Sequence, residues 1–258
     1  MICVFQIFPI VLVAMVSSRF TEACPDNCRC TNRKIFCRYS TIKSLPKSSP
    51  TTTLVSMERD FLINLNDSVI GKSGLANLTT LTLIRMHVKS IQAEAFRSMK
   101  KLQSLTITEN NITDLQPGAF KGLGQLYLLD LSRNLMKNLS SGVFEGLRGL
   151  RHLNLSSNRF YYIHFGFFDG LRRECNFKMS KTPSILDLSD TYIRKMDDGA
   201  LRNLCFFTLL KTSFIYGFQA NDFFSLRSLQ LHHCYSNEHW SGILEGLYNL
   251  ISVSYTLL

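Results

Sequence analysis

Acidic side chains are scarce in this chain. Nineteen Asp and Glu face 29 Lys and Arg, a formal net charge of +10. That imbalance selects for acidic partners such as sulfated glycans, nucleic acid or anionic membrane, without choosing among them. Long apolar runs are lacking too. Residues 7–16, "IFPIVLVAMV", are too few to span a bilayer comfortably, and no later stretch reaches about 18 consecutive apolar residues. No transmembrane helix is predicted, and the closing "LISVSYTLL" is too short for a lipid-anchor signal. Catalytic signatures are missing as well. There is no G-x-S-x-G and no H-E-x-x-H. The "GKS" at Gly71 lacks the glycine five positions earlier that a phosphate-binding loop requires, since Asn66 stands there. Ser, His and Asp are present, but nothing in the sequence brings them together. No enzyme activity, cofactor or metal site is expected.

What is present begins with a compartment. The apolar run at 7–16 is followed by the small-residue segment "FTEA", ending at Ala23, although a positively charged start is missing. Residues 1–23 read as a secretory signal peptide. Four cysteines then crowd into "CPDNCRCTNRKIFC": Cys24, Cys28, Cys30 and Cys37. In an oxidising compartment this spacing implies a small disulfide knot, for which the sequence alone allows three connectivities. Four cysteines also suit zinc, but the signal peptide argues against it. The sequons at Asn66, Asn77, Asn111, Asn138 and Asn154 agree with secretion. Over residues 24–50, six cations (Arg29, Arg33, Lys34, Arg38, Lys43 and Lys47) face one acid, Asp26. This is a candidate patch for anionic glycans.

The rest of the chain is periodic. L-x-x-L-x-L-x-x-N-x-L appears as "LQSLTITENNI" from Leu102, "LYLLDLSRNLM" from Leu126 and "LRHLNLSSNRF" from Leu150, with a step of 24 residues. "LTTLTLIRMHV" precedes them from Leu78, and before it Val55, Met57, Asp60 and Leu62 fall in the same slots. Downstream come "PSILDLSDTYI" from Pro183, "LCFFTLLKTSF" from Leu204, "LRSLQLHHCYS" from Leu226 and a ragged turn from Leu247. A fixed period of this size marks stacked repeats. Leu153 and Leu155, two apart, point inward from a short strand while Asn154 points out. Where the chain bends after the strand, buried backbone groups lose their ladder partners. An inward amide offers both a donor and an acceptor, so Asn110, Asn134 and Asn158 are predicted to form a ladder. Ala95-Phe96, Ala119-Phe120, Val143-Phe144 and Phe167-Phe168 are predicted to pack the side behind the sheet.

These motifs resemble the extracellular leucine-rich-repeat family over about residues 24–258, and "CPDNCRC…C" looks like that family's cysteine-rich N-terminal cap. Toll-like receptor ectodomains and variable lymphocyte receptors share it. The resemblance implies an α/β solenoid, a horseshoe with a concave parallel β-sheet and an irregular or short-helical convex side. It also implies the pairings Cys24–Cys30 and Cys28–Cys37. The implied organisation is a signal peptide at 1–23, a cap at 24–52, and about nine turns over 53–258 with an insertion near 174–182. The implied function is non-catalytic binding of an extracellular protein or pathogen-derived ligand. A secreted matrix or adhesion protein binding collagen or glycosaminoglycan is the alternative.

Several positions depart from the pattern. The ladder slot reads Asp60, Met86, Asn110, Asn134, Asn158, Thr191, Thr212, Cys234 and Tyr255, and Met86 and Tyr255 cannot replace an amide. Cys175, at the insertion, and Cys205 are candidates for a bridge. Cys234 is expected as a buried thiol, and Trp240 as a core residue. "HHCYSNEH", with His232, His233 and His239, does not converge as metal ligands must. No second cysteine cap precedes Leu258, which implies a shortened receptor ectodomain or an end covered by something else. The outward strand positions vary from turn to turn. Arg85, Glu109, Asp130, Arg133, Asp187, Asp190, Lys211, His232 and His233 are therefore the candidate ligand-contacting residues. A glycan on Asn154 would crowd the middle of that face.

Overall fold

The computed structural model describes residues 24–31, 33–38, 45–47, 50–59, 64–70, 74–171, 184–201, 204, 209–212, 227–234 and 252–257. Residues 1–23, Lys43, Asp60, the 174–182 insertion with Cys175, Cys205, His239 and Trp240 lie outside this set. In chain order the strands are β1 (Cys28–Cys30), β2 (Lys34–Arg38), β3 (Leu54–Glu58), β4 (Asn64–Leu65), β5 (Thr80–Ile84), β6 (Ser90–Ile91), β7 (Ser104–Thr108) and β8 (Asp114–Leu115). They continue as β9 (Leu128–Asp130), β10 (His152–Asn154), β11 (Tyr162–Ile163), β12 (Ile185–Leu188), β13 (Lys195–Met196), β14 (Leu209–Thr212), β15 (Ser228–Cys234) and β16 (Ser252–Leu257).

Eleven of these strands form one sheet, in the order β1-β2-β3-β5-β7-β9-β10-β12-β14-β15-β16. β1 runs antiparallel to β2, and from β2 onward every neighbour is parallel. Alternation is the cause. β3, β5 and β7 bury Val55 and Met57, Leu81 and Leu83, and Leu105 and Ile107, and leave the residues between them half-exposed. Short second strands, β4-β6-β8 and β11-β13, pair on the far side of the bend. Among the described residues the one α-helix is α1 (Asp67–Ile70), whose start is capped by Asn66 Oδ1 accepting from Val69 N–H at 2.9 Å. Among the described residues the convex side is therefore irregular with one short helix.

Behind the sheet the predicted aromatics stack. Phe96, Phe120, Phe144 and Phe168 are fully buried, with successive ring centroids 6.0, 6.4 and 6.4 Å apart and planes within 13°. Such close stacking leaves no room at Gly170. A Cβ there would meet Glu145 N at 2.6 Å and Phe144 C at 2.8 Å, and its φ of +94° already excludes most side chains.

The asparagines bind adjoining turns together. Asn110 accepts from Met86 N–H (2.8 Å) and Val88 N–H (3.2 Å) and donates to Leu83 O (3.0 Å) and Thr108 O (2.9 Å). Asn134 accepts from Ile112 N–H (3.2 Å) and donates to Ile107 O (2.8 Å) and Leu131 O (3.0 Å). Asn158 accepts from Met136 N–H (3.2 Å) and donates to Leu131 O (3.0 Å) and Leu155 O (2.9 Å). Each amide thus serves its own turn and the one before. Thr191 keeps half of this, donating to Leu188 O at 2.7 Å within its own turn.

Two slots read from the sequence are corrected by the sheet register. Leu188 pairs with Thr212, and Leu231 with Tyr255. Thr212 and Tyr255 therefore occupy the second inward strand position, three residues before the ladder slot. The step from β12 to β14 is 24 residues (Ile185 to Leu209), not the shortened step that aligning Leu204 with Pro183 implies.

Replacing Asn134 by Ala strands several buried backbone groups, each costing about 1–3 kcal/mol. Asn134→Ala is expected to lower unfolding free energy by at least about 3 kcal/mol in urea titration, whereas the exposed Asn111→Ala should stay within about 0.5 kcal/mol.

Candidate functional site

The register lays one continuous row along the concave face: Phe36, Ser56, Thr82, Thr106, Asp130, Asn154, Asp187, Lys211, Gln230 and Ser254. A second row, two residues earlier, runs Leu54, Thr80, Ser104, Leu128, His152 and Ile185. The sequence reading missed this second row, though the same alternation, carried one step toward each strand's start, identifies it. His152 is half-buried there, and burial, aided by the charge of Arg151, pushes its pKa below the ordinary value.

Not every outward residue is available to a partner. Asp130 Oδ1 accepts from Ser132 N–H at 2.9 Å, Asn154 Oδ1 from Ser156 N–H at 3.0 Å, and Asp187 Oδ1 from Ser189 N–H at 3.0 Å. These side chains close the bend after the strand, each bonding the backbone two residues on. The recurring triplet D/N-L-S (130–132, 154–156, 187–189) is the signal that could have identified this role. Ser132 and Ser189, which alternation places outward, are buried.

The next column is the residue just before the ladder slot. Arg59, Arg85, Glu109, Arg133, Ser157 and Asp190 all have φ between 52° and 63°. A left-handed non-glycine costs roughly 1–2 kcal/mol. The compensation is visible in the amides, which cross to the next turn: Arg59 N–H to Ile84 O (2.9 Å), Arg85 to Thr108 (3.2 Å), Glu109 to Ser132 (3.3 Å), Arg133 to Ser156 (3.0 Å) and Ser157 to Ser189 (2.9 Å). Since the backbone does this, side-chain identity is left open, and four candidate residues stand here. Two of them already hold each other. Arg85 Nε donates to Glu109 Oε2 at 2.7 Å, and Glu58 carries Arg38 at 3.2 Å, Arg59 at 3.5 Å and Arg85 at 3.6 Å. Arg133 pairs with no carboxylate among the described residues. Lys211 falls opposite Asp187, so it belongs to the strand row and not to this edge column. His232 pairs with Thr256 at an irregularity of the β15–β16 ladder, adjoining His233.

At the cap, sulfur–sulfur bonds join Cys24 to Cys30 (2.06 Å) and Cys28 to Cys37 (2.04 Å). The β1-β2 hairpin they brace covers one edge of the long sheet. Against it lies a groove of about 470 Å³ lined by Asn27, Arg29, Phe36, Arg38, Ser56 and Glu58, with Phe36 exposed. Arg29, Arg33, Lys34 and Lys47 are exposed here. Among the described residues no three His, Cys, Asp or Glu side chains gather to hold a metal, and no helix is long and apolar enough to cross a membrane.

On the flank, Tyr162 O–H donates to Asp197 Oδ1, and Phe165 N–H donates to Asp197 Oδ2 at 2.8 Å. The tyrosine hydrogen bond, then the amide, hold the Asp197 pKa below its ordinary value, and the same hydrogen bond raises that of Tyr162.

Three overlapping windows, residues 76–136, 100–160 and 125–173, match the leucine-rich repeat family. Residues 76–173 therefore carry leucine-rich repeats, within a parallel-strand solenoid. No curated protein sequence matches this chain. Solved structures that share its fold include these three. A TLR13–ssRNA13 complex aligns with TM-score 0.55 and 21% identity, covering 80% of this chain and 33% of that one. An octameric complex of Latrophilin 3, Unc5D and FLRT2, the last through its leucine-rich repeats, contains a chain at TM-score 0.58 and 18% identity, covering 87% and 61%. Human 5T4 (Wnt-activated inhibitory factor 1, trophoblast glycoprotein) aligns at 0.60 and 22%, covering 92% and 81%. The solenoid thus spans a third and about three fifths of the first two chains. At these identities the likeness carries the fold alone.

Two outcomes test the site's electrostatics and strain. Arg133→Gly relieves the left-handed backbone and removes no ion pair. It is expected to raise unfolding free energy by about 0.5–1 kcal/mol, measured by chemical denaturation, with the Arg133 amide bond to Ser156 retained. Tyr162→Phe removes the main cause of the depressed Asp197 pKa, so a carboxyl NMR titration should show that pKa rising. The sign follows from linkage. A depressed carboxylate stabilises the fold above its unfolded pKa, and this is lost as pH falls through the folded pKa. In the variant that loss should begin at higher pH.

Proposed function

We propose that this chain is a non-catalytic extracellular recognition module, of receptor or adhesion type, that binds a protein ligand through the concave face of its repeats. The observation that supports it is the contrast between inward and outward positions. Leu81, Leu105, Leu129, Leu153 and Leu186 occupy one inward slot in successive turns. The outward positions that the bend does not use change beside them, from Ser56, Thr82 and Thr106 in one row to Leu128, His152 and Ile185 in the other. A scaffold that holds its core constant and varies its face suits recognition.

The compartment reading rests on the apolar run at 7–16 with Ala23 as its cleavage end, the two cap disulfides, and the five sequons at Asn66, Asn77, Asn111, Asn138 and Asn154. On the concave face the half-exposed Asn154 keeps its Oδ1 on Ser156, and Nδ2, the atom a glycan uses, takes no part in those bonds. A glycan there steers large partners to the hydroxyl-lined turns of Thr82 and Thr106, or to the flanks.

The test is binding of the purified, secreted chain to a panel of cell-displayed extracellular domains. Thr82→Glu with Thr106→Glu, on half-exposed positions, is expected to weaken a captured partner by about tenfold or more while leaving the melting temperature unchanged. Undiminished binding in that double variant and in His152→Glu would reject the concave face as the site.

A further inference from the structure

The segments just after the ladder slot form a second surface, on the flank of the solenoid. Arg159, Phe160 and Tyr161 alternate out, in, out, as do Tyr192, Ile193 and Arg194 one turn later. The two segments run side by side. β11 pairs with β13 in parallel, Tyr162 opposite Lys195, and Arg194 N–H donates to Tyr161 O at 2.9 Å. The same 33-residue offset sets Arg159 beside Tyr192. Four exposed side chains thus form a checkerboard, arginine beside tyrosine in both directions, on chains about 4.8 Å apart. Tyr161 is 63% and Tyr192 68% exposed, the two most exposed large apolar side chains among the described residues. Neither arginine pairs with a carboxylate among the described residues, and Lys195 adds a third cation, its Nζ 5.7 Å from the Tyr162 ring centre.

The repeat supplies its own control. The same two positions hold Asn111 and Thr113 two turns earlier, and Leu135 and Lys137 one turn earlier. The scaffold folds around any of these, so packing does not demand tyrosine and arginine at 159, 161, 192 and 194. Exposed Tyr and Arg are the residues that most often anchor protein interfaces.

We infer that this checkerboard is a docking surface for a short acidic segment of a partner protein, with carboxylates on Arg159 and Arg194 and side-chain faces on Tyr161 and Tyr192. Charge complementarity selects the occupant. A sulfated glycan would satisfy the cations but leaves two tyrosine faces wet. A nucleic acid strand would use both but must track onward past Asp197 and Asp198, which border the patch and repel phosphate. The inference rests on the recognition reading above but names a separate face.

The test uses the full chain and, as probe, a synthetic alternating Glu/Tyr peptide, with heparin and oligouridylate as comparators. Salt-sensitive peptide binding is expected, weakened about tenfold by Arg159→Glu with Arg194→Glu and several-fold by Tyr161→Ala with Tyr192→Ala. Hydroxyl-radical footprinting of the unaltered chain should show Tyr161 and Tyr192 protected by the peptide, which settles the matter even if a variant misfolds. Absence of protection, or tighter binding of oligouridylate or heparin with the same dependence on both pairs, would overturn the proposal. If flank variants leave a captured partner bound while Thr82→Glu with Thr106→Glu releases it, the flank fails and the concave reading stands. If neither set matters, both fail.

Discussion

The structure depends on how buried backbone is satisfied where each strand ends. Parallel strands need a crossover, and a helix normally supplies one while meeting its own hydrogen bonds. Among the described residues the crossover is nearly helix-free, so carbonyls such as Leu83 O, Ile107 O and Leu131 O reach the bend without ladder partners. Asn110, Asn134 and Asn158 meet them with one amide per turn. Because each amide reaches back to the previous turn, its bonds exist only in the stack, and neighbouring turns stabilise one another. The phenylalanine stack behind the sheet follows from the same spacing, since rings set by an identical turn fall in line.

That constraint divides the surface into positions the fold uses and positions it leaves open. The carboxylates of Asp130 and Asp187 look available from their strand positions but close the bend. Arg85 and Glu109 look available but neutralise each other and tie into Glu58. Among the described residues, those left open on the concave face include the hydroxyl row of Ser56, Thr82 and Thr106, the half-buried His152 and Arg133, which pairs with no carboxylate there. The most exposed large aromatic side chains among the described residues, Tyr161 and Tyr192, sit on the flank instead.

Much of this was legible in the sequence, for a physical reason. Where the step is 24 residues and Asn recurs, as from Leu102 to Phe160, inward and outward positions follow from a period of two. Registration fails from Leu204 onward, because Leu204, Phe206, Phe207, Leu209 and Leu210 place apolar residues on both parities. A one-residue slip in a strand exchanges its faces. Only pairing with β12 shows that Leu210 and Thr212, not Phe207 and Leu209, take the inward register. The bend-closing role of Asp130, Asn154 and Asp187 escapes alternation for a different reason, and the recurring D/N-L-S triplet is its signal. A carboxylate at a strand's end can face water or its own backbone, and alternation does not distinguish the two.

Comparison of equivalent positions across turns separates what the fold imposes from what it permits. Glu94 has φ +55° and stands in a column otherwise filled by Gly118, Gly142, Gly166 and Gly199, all with positive φ. The fold asks for glycine there. The exposed ion pairs of Glu94 with Arg97 (3.5 Å) and Lys121 (3.4 Å) are worth at most about 1 kcal/mol against a backbone cost of about 1–2 kcal/mol. Stability alone therefore does not account for Glu94. The flank tyrosines are the complementary case. The fold is indifferent to them, since Asn, Thr, Leu and Lys serve equally in preceding turns, and exposing two aromatic faces adds nothing to the core. In a repeat protein, residues whose identity the stack neither requires nor rewards are where a binding role is argued most directly, because every neighbouring turn shows what the scaffold accepts without them.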